Sequence, residues 1–274
     1  MKLLKKYHYV LWMGGIFVCL LFLLVGLIFG IASHRYGDRD TLSPQLGASA
    51  KADTAEAQVT MQPGTPVQVS DGTLRELTEG KDAGQEYLSS VTFLTDSRLA
   101  ALKNGGIVSS GNLWLGENGT VSAASLGSCS IVFPADGSVV SAINAAMISK
   151  PSTLLISLGH DGLADVQQSE FITSYESLIR GIQSSSPETV IVCCSLIPVT
   201  GDSTVQGLSN GGVIGANEWI KTVCADTGVY FLDLGKAVSS SGVLNADYAE
   251  SDGCALNSAG IGKILDYIRT HAAK

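Results

Sequence analysis

Residues 153–162 read TLLISLGHDG, a short apolar run that stops at a glycine and is followed at once by a histidine and an aspartate. A run of this length, rich in branched side chains, suits a strand buried on both faces. Three further stretches have the same character: SVTFL at 90–94, TVIVCCS at 189–195 and VYFL at 229–232. Helical patterns intervene at 139–148, 170–184, 214–227 and 258–272. In the second of these, Phe171, Tyr175, Leu178, Ile179 and Ile182 share one face. The alternation predicts an α/β fold, a three-layer α/β/α sandwich with a parallel sheet. Open sheets of that kind place their sites at the carboxyl ends of the strands. Residues that directly follow a strand are therefore the ones to search for chemistry.

The chain ahead of this domain has a different composition. Lys2, Lys5 and Lys6 precede an uncharged run over 9–32 that contains VLWMGGIFVCLLFLLVGLIFGIA. A helix needs about 20 apolar residues to cross a bilayer core, and this run supplies them. Signal-peptide apolar regions are shorter, about 7–15 residues, which favours a retained single transmembrane helix over a cleaved leader. The lysine cluster puts residues 1–8 on the cytoplasmic side. Residues 33–81 turn to Ala, Thr, Ser, Pro, Gln and Gly, with no persistent period, and read as an extracytoplasmic stalk. The globular domain is expected over 82–274, which makes the protein a single-pass membrane protein with its domain outside.

From residue 41 onward, 12 Lys+Arg face 23 Asp+Glu, a net charge of −11. That sign, with no basic stripe, speaks against nucleic acid as a partner. Of the six cysteines, Cys19 lies in the apolar run. Cys129, Cys193, Cys194, Cys224 and Cys254 follow no metal-ligand spacing and read as small buried hydrophobes, with one disulfide left open. Neither a metal nor an organic cofactor is expected.

Three segments carry candidate chemistry: Thr95-Asp96-Ser97-Arg98 after the first strand, Gly159-His160-Asp161-Gly162 after the second, and Asp252-Gly253-Cys254-Ala255 before the last helix. Alone, Asp96-Ser97 reads as a helix cap and Asp252-Gly253 as a turn. Their order and spacing, however, resemble those of the SGNH (GDSL-type) hydrolases, in particular small bacterial members tethered at the cell surface. The likeness runs from about Tyr87 to the C-terminus and takes in YESLIRGIQSSSPETVIVCCSLIPVT and DGCALNSAGIGKILDYIRTH. It implies that Ser97 is the nucleophile. It also implies that a glycine amide in WLGENGTV, Gly119 or else Gly116, helps hold the oxyanion. Asp161 stands in the third block and Asp252 in the fourth.

The departures from that pattern decide the functional expectation. Thr95 replaces the glycine of G-D-S. Where the family has the histidine that deprotonates serine, this chain has Ala255; loss of a positioned base costs about 10²–10⁴ in rate. Where the family has an asparagine that donates to the oxyanion, this chain has Asp161, which when ionised can only accept. Loss of one such donor costs about 10²–10³. Among the four histidines, His8, His34 and His271 lie at positions that should not reach Ser97, which leaves His160 as the one replacement base. Cys254 has no base beside it. The expectation is a domain impaired in ester hydrolysis that binds a ligand or acts as a scaffold at the cell surface. An acylated carbohydrate or other cell-envelope ligand is the expected partner. The alternatives are an active esterase or deacetylase on envelope polysaccharide that uses His160, and a purely structural module.

Overall fold

Strand-forming runs that are apolar on both faces can be buried only between two layers of helices. A computed structural model of the chain, which describes residues 71–273 except Gly105 and Ile107, has this arrangement. Six strands form the central sheet: β1 (Arg75–Glu76), β2 (Val91–Thr95), β3 (Leu113–Leu115), β6 (Thr153–Ser157), β7 (Val190–Cys194) and β8 (Tyr230–Leu232). All pair in parallel, in the order β1-β8-β7-β6-β2-β3. Two short antiparallel pairs lie outside it, β4 (Ser130–Val132) with β5 (Val139–Ser141), and β9 (Ser239–Ser240) with β10 (Val243–Leu244).

Side chains alternate across each strand. Leu94, Leu154, Ile156, Ile191 and Cys193 enter one core with α2 (Ala142–Ser149), α3 (Gln168–Ser185) and α4 (Asn210–Thr227). Phe93, Leu155, Val192 and Cys194 enter the other, with α1 (Gly84–Ser90) and α6 (Ser258–Thr270). The four-residue α5 (Gly235–Val238) follows β8. All five cysteines from Cys129 onward carry free thiols; four are buried and Cys254 is half-buried. Burial pushes the Cys129 thiol up to about 12, as expected for a packing residue.

Counted from β2, the strands follow the flavodoxin-like order 2-1-3-4-5, with β1 added at the far edge. The crossover after β2 packs on one face of the sheet, through Leu99 and Leu102, and the helix α2 before β6 packs on the other, the arrangement in which open sheets form their crevice at the carboxyl ends. Thr95 pairs with Ser157 in the last register of that ladder, so Ser97 and Asp161 emerge side by side.

Several expectations need correction. The sheet takes in Arg75–Glu76, ahead of the expected domain start at residue 82, and Glu76 is tied to Lys236 by a 2.7 Å ion pair. The expected helix over 139–148 begins as strand β5, because Ser141 caps α2 by accepting from the Asn144 amide at 3.1 Å. His271, which the sequence places away from Ser97, is buried and stacks on Tyr267 with ring centroids 3.7 Å apart. The expected membrane span at 9–32 and most of the expected stalk lie outside the described residues. Among the described residues, no helix is long and apolar enough to cross a membrane.

Candidate active site

Asp96 and Ser97 leave the end of β2 in opposite directions. The Asp96 side chain turns inward and is fully buried. Its Oδ2 accepts from the Gly159 amide at 3.0 Å, the His160 amide at 2.8 Å and the His160 ring Nδ1 at 3.2 Å. Its Oδ1 accepts from the Arg98 amide at 3.1 Å. Burial alone would raise this carboxyl's pKa; the His160 ring and the amides of His160 and Arg98 outweigh it and hold the pKa below the ordinary carboxylate value. Gly159 fits only as glycine. Its φ is +124°, and a Cβ there would stand 2.9 Å from Cε2 of Phe171.

His160 is locked by two bonds. The Ile197 amide donates to its Nε2 at 2.9 Å, so Nε2 carries a lone pair and the ring proton sits on Nδ1, facing Asp96. Ile197 is held in turn by two asparagines of α4. Asn217 Oδ1 accepts from the Leu196 amide at 2.6 Å, and Asn210 Oδ1 accepts from the Val199 amide at 2.8 Å. With both ring nitrogens committed, His160 has no basic nitrogen to offer Ser97. Through these bonds the His160 ring, the replacement base expected from the sequence, joins β2, β6 and the loop after β7.

Ser97 faces solvent and Asp161 is half-buried. Ser97 Oγ donates to Asp161 Oδ1 at 2.5 Å, while the amides of Ser97 and Val121 donate to Oδ2 at 3.3 and 3.0 Å. The Asp161 carbonyl also accepts from the Ala123 amide at 2.7 Å, which fastens the loop after β3 to the end of β6. A carboxylate side chain thus lies on amides that could otherwise face a ligand oxyanion. The amide of Gly119 is turned elsewhere, donating to the Gly116 carbonyl at 2.8 Å in a tight turn where Gly119 has φ +74°. Gly116 is the residue that lets this loop close, since a Cβ on it would lie 1.9 Å from the Thr120 carbonyl oxygen. In place of the expected Gly119, the amide brought to the site is that of Val121.

At the fourth segment, Asp252 Oδ1 accepts from the amides of Cys254 and Ala255 at 2.8 and 2.9 Å, so its carboxylate caps its own turn. Ala255 offers only a methyl group. Beneath lies Arg98, the last residue of the Thr95–Arg98 segment. Its guanidinium is buried and donates to Cys254 Sγ and to the carbonyls of Ile197 and Pro198. Burial pulls the Arg98 pKa down, against the opposing pull of Cys254, Asp96 and Asp252. The Cys254 thiol is raised by burial, which outweighs Arg98, so Cys254 is no ready nucleophile. Among the described residues, no group of three or more His, Cys, Asp or Glu is placed to hold a metal ion.

The parallel α/β sheet thus carries a serine beyond the end of β2, hydrogen-bonded to an aspartate from beyond the neighbouring strand β6. The GDSL-like lipase/acylhydrolase family model matches residues 110–261, more than half of the sequence, and the chain belongs to that family. The matched stretch starts after Ser97 and includes the Gly159–Gly162 and Asp252–Ala255 segments. Similar solved structures include a Streptococcus pneumonia protein provisionally described as a platelet activating factor, at 17% identity and TM-score 0.48, covering 66% of this chain and 82% of that one. A carbohydrate esterase of family 3 from Talaromyces cellulolyticus shares 16% identity at TM-score 0.43, covering 65% and 93%. A provisionally assigned lipolytic protein of the G-D-S-L family from Desulfitobacterium hafniense shares 15% at TM-score 0.45, covering 66% and 98%. No curated protein matches the chain.

Proposed function

We propose that this GDSL-family domain binds a ligand at the Ser97–Asp161 crevice without efficient ester hydrolysis, and that the apolar run at 9–32 tethers it to the outer side of a membrane. One observation carries the reading of the site: the Asp161 carboxylate accepts from Ser97 Oγ and from the amides of Ser97 and Val121. An acyl transition state needs donors at that place, and a carboxylate there repels the developing oxyanion. Asp161 is also a poor substitute base, because deprotonating Ser97 would leave the oxyanion amides still covered by Oδ2. With Ala255 at the family's base position and His160 committed on both nitrogens, the base is missing as well as the oxyanion donor. The ligand in this reading is a polar molecule of the cell envelope, a carbohydrate foremost.

The test is hydrolysis by the full-length chain of p-nitrophenyl acetate and of O-acetylated glycans. Background rates are expected, unchanged in Ser97→Ala. Turnover that depends on Ser97 would overturn the reading. The double substitution Ala255→His with Asp161→Asn should raise ester turnover by at least about 10²-fold, since it restores both a base and a donor.

A further inference from the structure

We propose that the Ser97–Asp161 site takes a protonated primary amine; this rests on the non-hydrolytic reading above and names the chemistry of its ligand. The inference comes from counting hydrogen-bond capacity. An ionised carboxylate has about four lone-pair positions. On Asp161, Oδ2 receives two amides and Oδ1 receives one hydroxyl proton, which leaves one position open on Oδ1. The Ser97 proton is committed to Asp161, so Ser97 Oγ faces solvent as an acceptor. The Ser97 and Val121 amides are filled from within. What the crevice presents at this point is therefore acceptor capacity beside a negative charge, the reverse of what an ester-hydrolysing site presents.

The neighbouring charges leave Asp161 uncompensated. Among the described residues, no Lys, Arg or His forms an ion pair with Asp161, whereas Asp96 accepts from the ring N–H of His160. Arg98, the cation buried beneath, directs its guanidinium to Cys254 and to the carbonyls of Ile197 and Pro198. Its charge is felt by Asp96 and Asp252. A ligand cation is the missing partner.

The shape of the acceptor set selects among cations. A guanidinium prefers both oxygens of one carboxylate, but Oδ2 is already filled. A metal ion such as calcium wants about six or more oxygens, far more than Oδ1 and Oγ supply. An ammonium group has three donors and no acceptor, and can give one proton to Asp161 Oδ1 and one to Ser97 Oγ while the third stays solvated. An acyl carbonyl, which only accepts, finds no partner here. An amine is thus preferred over its own acylated form.

The test uses glucosamine as the probe, with glucose and N-acetylglucosamine as controls, titrated calorimetrically into the full-length chain in detergent. Glucosamine should bind at least about tenfold more tightly than either control. Raising ionic strength should weaken glucosamine and leave glucose unchanged, a readout that needs no variant. Asp161→Asn should erase the preference while thermal melting reports the fold intact. Equal affinity for glucosamine and glucose, or a preference that survives Asp161→Asn, would overturn the amine assignment. Ester turnover dependent on Ser97 would instead overturn the reading on which it rests, so the two failures are told apart by different measurements.

Discussion

Two aspartates reach across the same crevice from opposite strands, and they have opposite fates. Asp96, from the end of β2, accepts from Gly159 and His160 beyond β6; Asp161, from beyond β6, accepts from Ser97 beyond β2. The exchange is nearly symmetric, yet Asp96 is fully buried with an imidazole beside it, while Asp161 is half-buried and, among the described residues, paired with no cation. The same residue type at the same sheet end is structural one step inside the surface, and one step outside it is the residue to which we assign ligand binding. Burial with complete hydrogen bonding makes a joint, and incomplete satisfaction at the surface leaves a site.

The sharpest way to break this comparison is to remove each carboxylate in turn. Asp96→Ala strands three buried amides and a ring N–H, and should cost about 3–5 kcal/mol in denaturant unfolding, the range for breaking a buried polar pair. Gly159→Ala comes next. It forces a Cβ against Phe171 at positive φ and should cost about 1–3 kcal/mol, in part relieved by Phe171→Leu in a double-mutant cycle. Asp161→Asn should cost less than about 1 kcal/mol, because water can reach the groups it leaves. An Asp161 substitution as costly as Asp96→Ala would erase the distinction between the two.

Acid sharpens the same contrast. The Asp96 pKa is lower folded than unfolded, where carboxyls titrate near about 4, so its stabilisation is fully present above about pH 4. It is lost as pH falls through the lower folded value. Melting temperatures of the wild type should therefore fall below about pH 4 more steeply than those of Asp96→Asn, which cannot titrate at this position. Parallel slopes would mean that the inner carboxylate carries no linked proton.

How much of this was legible in the sequence follows the physics of each signal. The four central strands were placed to within about one or two residues, since continuous apolar runs between glycines and polar turns report burial directly. The two-residue β1 and three-residue β3 have too few side chains for a period to show. Ser97, Asp161, Asp252 and the loss signalled by Ala255 were visible as side-chain types in motif order. Val121 was not, because it contributes a backbone amide, which any residue could offer. Gly119 fits the motif by position, while its amide closes a turn on the Gly116 carbonyl, a contact that the motif does not encode. His160 was visible as a residue, but its tautomer depends on Ile197, a contact across 37 positions. Arg98 did leave a signal: a charged residue in the fourth place of a motif whose name ends in leucine.

The short edge strand has a mechanical consequence. β1 joins the sheet through Arg75 opposite Tyr230 and Glu76 opposite Phe231, reinforced by the Leu77 amide on the Phe231 carbonyl at 2.8 Å and by the Lys236–Glu76 pair. Being parallel to its neighbours, it starts at the pole opposite the Ser97 crevice. A pull delivered through the chain ahead of residue 75 loads these few bonds first, and peels them one at a time. Once β1 yields, the same load passes along the chain to the Gly80 and Ala83 amides, which donate to the Thr270 and Arg269 carbonyls at 2.7 and 2.9 Å and form a second clasp ahead of β2.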